Sequence, residues 1–238
     1  MTSLVSPQRI LVATRNRHKL EEIQAALSAL RAGHGGARIM VVGPGALAPS
    51  EAPQETGATF RENARLKAVE AAVLAARLPP STRPTWSLGD DSGLAVDALG
   101  GEPGVRSARY AGEGASDQDN NRKLLDALAG VPREGRGAEF ICMMALVRVP
   151  DAPTGTPDAP PTGGAGLPVA FYAEGRSRGE ILREESGRGG FGYDPLFYVP
   201  ELEKTFAELT TAEKNEVSHR GRALKAFVAE LERHLDVQ

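Results

Sequence analysis

Asp90 and Asp91 stand side by side in the run Leu88-Gly89-Asp90-Asp91-Ser92-Gly93-Leu94, and paired carboxylates are the densest chemical signal in the chain. Trp86 and Leu88 predict a short strand that ends on these acids and gives way to a Ser92-Gly93 turn. Neighbouring strand residues point to opposite faces, so the two acids are expected to do different jobs. Carboxylates this close repel, which is relieved by protonating one or by binding a cation. An Asx-type turn between two strands accounts for the same residues without any chemistry. The small residues up to Gly104, followed by Arg106, Arg109 and Tyr110, favour a site.

Cationic groups recur where helices begin or show a face. Residues 9–14 read as a buried strand, followed by Arg15-Asn16-Arg17-His18-Lys19 and then an amphipathic helix with Leu20, Ile23, Leu27 and Leu30 on one stripe. Unpaired N–H groups and a positive dipole at such a helix start suit an anion, and Lys19 adds a full charge. This is no Walker loop, because the glycines are missing. Lys67 lies one helical turn from Asn63. Lys214 falls in a short helix capped by Thr210 and Glu213, and Ser218-His219-Arg220 opens the last helix. Between these lies Gly187-Arg188-Gly189-Gly190-Phe191-Gly192-Tyr193-Asp194. Its glycines let backbone approach a flat ligand, while Phe191 or Tyr193 offers a stacking face.

Thr59 and Glu62 form a capping box for a helix lined by Leu66, Val69, Val73 and Ala76. Residues 39–42 and 85–89 read as strands, and 116–129 as a helix with Leu124, Leu125 and Leu128 inward. Residues 140–149 are apolar on both faces, as in a covered central strand. Residues 150–168 have little capacity for a core and read as a flexible hairpin tip. Residues 169–174 are then the returning strand, and 179–183 a separate short one.

With 238 residues the chain can bury a substantial core. A net charge of −3 provides no basic field for nucleic acid. The single cysteine, Cys142, sits in an apolar run and reads as a buried thiol. No run approaches the ~18 apolar residues of a membrane span, and the N-terminus lacks a signal-peptide core, so a cytoplasmic location is expected. Scattered cations, an acidic strand end and a glycine-aromatic loop together predict a Mg²⁺-assisted site for a nucleoside polyphosphate, in a mixed α/β chain.

The chain also resembles the inosine triphosphate pyrophosphatase family over nearly its whole length. The matching blocks, in order, are Ala13-Thr14-Arg15-Asn16 with Lys19; Glu55-Thr56-Gly57-Ala58-Thr59-Phe60 with Glu62-Asn63-Ala64; Asp90-Asp91-Ser92-Gly93-Leu94; Ser107-Ala108-Arg109-Tyr110; Gly190-Phe191-Gly192-Tyr193-Asp194-Pro195; Glu213-Lys214; and Ser218-His219-Arg220. The resemblance implies an elongated mixed β-sheet flanked by helices, with two lobes around a substrate cleft, forming a single domain over 1–238 and a homodimer. It implies hydrolysis of ITP, dITP and XTP to the monophosphate and pyrophosphate.

By position, Thr14, Arg15, Asn16, Arg17, His18 and Lys19 would hold phosphates. Asp91 would be the general base and, with Glu55, serve Mg²⁺. Lys67 would be a further phosphate-side cation, and Ser92 would touch the substrate. Phe191, Gly192, Tyr193 and Asp194 would hold the base, with Lys214, His219 and Arg220 completing the contacts. Two positions depart from the family pattern, which commonly has a small residue where Arg15 stands and often an acid where Gln54 stands. Rival activities are pyrophosphatase action on modified pyrimidine or standard dNTPs, a phosphatase with an aspartyl nucleophile at Asp90, and nucleotide binding without turnover.

Overall fold

The computed structural model describes residues 8–14, 16–30, 39–43, 45, 55–153 and 166–236. Arg15, Gln54 and most of the expected hairpin tip lie outside them. Ile10, Leu11 and Val12 are fully buried in β1 (Gln8–Val12), which runs parallel to β2 (Ile39–Val42) and to β3 (Trp86–Val96). Apolar residues on both faces are what a parallel strand covered on both sides requires. Between β1 and β2 the chain forms α1 (Arg17–Leu30), whose Ile23 and Leu27 are buried one turn apart.

The Thr59–Glu62 capping box starts α2 (Phe60–Ala75), as the sequence predicts. Ala64, Ala68, Ala71, Ala72 and Ala75 form the helix's buried side, and such small side chains let it lie close to the sheet. The approach is tightest at Gly89 of β3, where a Cβ would sit 2.1 Å from the Ala64 carbonyl oxygen. Only glycine fits there.

Among the described residues seven strands form one mixed sheet in the order β2-β1-β3-β4-β5-β6-β7. Its remaining members are β4 (Gly137–Arg148), β5 (Val169–Ile181), β6 (Phe197–Val199) and β7 (Lys204–Thr205). The last two pairings are antiparallel. Helix α4 (Thr211–Val217) carries the expected cap, Thr210 with Glu213, and α3 (Asp117–Ala127) is capped in the same way by Ser116 with Asp119. The chain ends in α5 (His219–Asp236), with Leu224, Phe227 and Leu231 buried. Among the described residues no helix is long and apolar enough to cross a membrane.

Two expectations are corrected. β3 does not end on its acids but continues through Ser92 and Gly93 to Val96. Leu94 and Val96 are fully buried and carry the strand onward, while the acids find partners on helices. Residues 169–181 form one strand instead of two. Polar residues in its middle suggested a break, yet Arg176 and Arg178 alternate outward while Ser177 and Gly179 are buried. Ser177 Oγ donates to the Val217 carbonyl at 3.0 Å.

The chain separates into two compact units. The first holds the described residues up to Asp91, those of 143–173, and those from Leu224 onward. Its core packs the α2 alanines with Leu11, Met143, Ala145 and Val147. The second holds 92–142 and 174–223 around Leu94, Leu124, Phe140, Phe197 and Phe206. Here Gly175 admits α5 as Gly89 admits α2, since a Cβ would lie 2.1 Å from the His219 carbonyl oxygen. Cys142 is a buried thiol, as expected.

Candidate active site

In the first unit both acids are buried and each meets a lysine from a different helix. Asp90, 2% exposed, forms an ion pair with Lys19 of α1. Lys19 is placed by the helix start: Asn16 Oδ1 accepts from the Lys19 backbone N–H at 3.2 Å, and Thr14 Oγ1 accepts from the Asn16 N–H at 3.2 Å. Arg17 instead forms an exposed pair with Glu21, and His18 is exposed. Lys19 thus carries the basic run to the acids.

Asp91, 4% exposed, takes its partners from α2. Its Oδ1 accepts from Lys67 Nζ at 2.6 Å and its Oδ2 from Asn63 Nδ2 at 3.2 Å. Lys67 Nζ is also 2.6 Å from Glu55 Oε1, and it donates to the Asp90 carbonyl at 3.2 Å. Helical geometry explains the convergence, since residues 63 and 67 share one side of α2. Burial pushes the Asp91 carboxyl above its usual range. Lys67 pulls it back in part, Glu55 adds to the rise, and Lys19 opposes it. Burial also works against the Lys67 charge, but Asp91 and Glu55 together outweigh it and hold the ammonium protonated above the usual lysine value.

Among the described residues no three His, Cys, Asp or Glu side chains gather as a ready metal cage. Glu55 and Asp91 nevertheless share one ammonium, each with an oxygen 2.6 Å from Lys67 Nζ. Mg²⁺ is usually held by one or two carboxylates, with water and phosphate oxygens completing the shell, and this donor pair fits that habit.

The second unit carries the aromatic part. Asp194, 3% exposed, accepts from Lys214 Nζ at 2.6 Å and from the Phe191 backbone N–H at 2.8 Å. Burial raises the Asp194 carboxyl, with Lys214 pulling it partly back. The half-buried Phe191 ring has the Lys214 ammonium 5.0 Å and the Arg220 guanidinium 5.5 Å from its centroid. Arg220 Nη2 lies 3.5 Å from Ser92 Oγ. Gly192 donates its N–H to Asp117 at 2.7 Å. Phe191, Asp194, Lys214, Arg220 and Ser92 are thus linked through one neighbourhood of this unit.

Two expected ligand residues also make contacts inside this unit. Tyr193 is buried, and its hydroxyl donates to the Ser107 carbonyl at 2.8 Å. Burial drives its pKa strongly upward, so the phenol stays neutral. The His219 ring stacks on Phe140, centroids 4.6 Å apart and nearly coplanar at 9°.

Sequence reasoning left Asn63 and Asp117 out of the site. The one-turn spacing of Asn63 and Lys67 was a usable signal. Nothing local marks Asp117, whose partner lies far along the chain.

A mixed sheet whose central strand buries two acids, each on a helix-borne lysine, defines an α/β protein with a preformed charged centre. This chain belongs to the Ham1 family, whose model matches residues 10–230. A dITP/XTP pyrophosphatase from Yersinia pseudotuberculosis is 47% identical over 93% of this chain and 96% of its own. One from Pseudomonas aeruginosa is 45% identical over 93% and 95%. Among solved structures, a HAM1 protein from Coxiella burnetii aligns with TM-score 0.73 at 35% identity, covering 95% of this chain and 99% of its own. A nucleoside-triphosphatase, dITP/XTP pyrophosphatase, from Mycobacterium abscessus aligns with TM-score 0.67 at 39% identity, covering 94% and 100%. The resemblance read from the motifs is borne out.

Proposed function

We propose that this chain is a nucleoside triphosphate pyrophosphohydrolase that converts dITP, ITP and XTP to the monophosphate and pyrophosphate. It does so with Mg²⁺, as a homodimer whose protomer is one catalytic domain, in the cytoplasm with the nucleotide pool. What supports this reading most is Asp91, a buried carboxylate ion-paired to Lys67 and flanked by Glu55. The names carried by its relatives point the same way.

Asp91 takes a proton from the attacking water as a bond forms to phosphorus and the bond to pyrophosphate breaks. A carboxylate beside cations stays ionised at neutral pH, so it can do this without prior deprotonation. Lys19 and Lys67 offset charge on the phosphate oxygens, and phosphoryl chemistry needs such alignment and neutralisation more than covalent help. Glu55 and Asp91 would hold Mg²⁺, which when bound supplies further neutralisation of the phosphates.

Phe191 stacks on the purine. Donors from His219, Arg220 and the backbone near Tyr193 meet its 6-oxo group. A 6-amino group would set donor against donor and leave a buried group unpaired, a cost of about 1–3 kcal/mol.

The deciding experiment is product analysis across dITP, XTP, dUTP, dATP and dGTP, with Mg²⁺ and after chelation. Pyrophosphate from dITP and XTP, lost on chelation, is the expected result. Orthophosphate would favour the aspartyl-nucleophile mechanism, and tight binding without turnover would favour a sensor. Phe191→Ala should raise KM for dITP about tenfold while kcat changes less than about threefold, in line with base–aromatic stacking of 1–3 kcal/mol. An unchanged KM would remove Phe191 from the base site.

A further inference from the structure

We propose that Asn63 is a positioning residue that sets the two metal-side carboxylates relative to each other; the inference rests on the reading of Glu55 and Asp91 given above. Asn63 is fully buried, and its carboxamide is used at both ends. Nδ2 donates to Asp91 Oδ2 at 3.2 Å, while Oδ1 accepts from the Gly57 backbone N–H at 2.8 Å. Gly57 lies two residues beyond Glu55, so a single amide ties the segment that presents one acid directly to the other acid. Lys67, one turn on, binds both carboxylates, but it is a flexible four-carbon chain ending in a point charge. The amide is short, planar and enclosed. It can fix orientation where the ammonium fixes only charge.

The chemistry suits the task. A neutral donor on Oδ2 orients the Asp91 carboxylate without spending its negative charge, whereas a second cation would compete with a metal ion. The Gly57 contact leaves no slack, because a Cβ there would fall 2.6 Å from Asn63 Oδ1 and 2.7 Å from Glu62 Cβ. Outer partners of metal ligands commonly control affinity by 10–100-fold.

A merely structural Asn63 would cap the Gly57 turn and hold α2, and its loss would lower the melting temperature without changing how the folded protein binds metal. The test uses the full chain, folded by circular dichroism, and titrates nucleotide-free protein with Mn²⁺ by calorimetry. Asn63→Ala should weaken Mn²⁺ binding at least about tenfold and lower kcat, with KM for dITP held within about threefold. Gly57→Ala, which disturbs the same amide from the other side, should weaken Mn²⁺ binding in the same direction. It decides the matter should Asn63→Ala fail to fold.

Mn²⁺ affinity within about twofold of wild type in both single variants would overturn the proposal. Asp91→Asn is the control. If it loses Mn²⁺ while Asn63→Ala keeps it, only the role of Asn63 fails. If Asp91→Asn binds Mn²⁺ as wild type does, the metal-site reading fails and takes the role of Asn63 with it.

Discussion

Asp91→Asn should lower kcat for dITP by about 10³-fold, the scale of a positioned general base, while leaving nucleotide affinity within about threefold. The amide keeps the size of the carboxylate and an oxygen for Lys67, so the neighbourhood stays assembled. Lys67 also retains Glu55 as a partner. The variant should fold at least as well as the wild type, because burial already disfavours the charge it removes. Steady-state kinetics paired with calorimetry on a non-hydrolysable analogue separates the two effects. Unaltered turnover would defeat the base assignment, and lost binding with lost turnover would recast Asp91 as a substrate anchor.

Lys214→Met should cost about 3–5 kcal/mol of stability, because it strands the Asp194 carboxylate in a nearly dry site. For a chain of this length that corresponds to a fall in Tm of about 10 °C. Its pH dependence is as diagnostic as its size. Even beside Lys214, burial holds the Asp194 carboxyl above the ordinary 3.8, and without the lysine it must rise further. A folded-state pKa above the unfolded one means that the native protein binds more protons between the two values, so stability falls as pH climbs through that window. The variant should therefore regain melting temperature as pH drops from neutral towards the unfolded value. Lys214→Met combined with Asp194→Asn, which has no charge to strand, should recover most of the loss without acid. A melting temperature indifferent to both treatments would show that Asp194 is solvated or already neutral.

What the sequence disclosed was local. Two capping boxes, at Thr59 and Thr210, could be read because each is written within four residues and uses the same backbone geometry. The Asn63–Lys67 spacing placed two groups on one helix side for the same reason. The course of β3 past its acids was hidden, since polarity in a strand looks like an ending until the helices that satisfy it are known. In β5 the alternation of arginines with Ser177 and Gly179 resembled a loop because small inward residues carry no apolar signature. Tyr193 and His219 show a further limit. An aromatic ring beside a charged site has the same letter whatever its neighbours, and here Ser107 takes the Tyr193 hydroxyl while Phe140 covers one face of the His219 ring.

Gly89 has no functional atom, yet it governs the chemistry two residues away. Because the backbone of α2 rests on the backbone of β3 there, the separation of Lys67 from Asp91 is set by main chain against main chain. The centre thus inherits the stiffness of the peptide skeleton. A single methyl group at that position would act as a shim, lifting away from Asp91 the helix that carries Asn63 and Lys67.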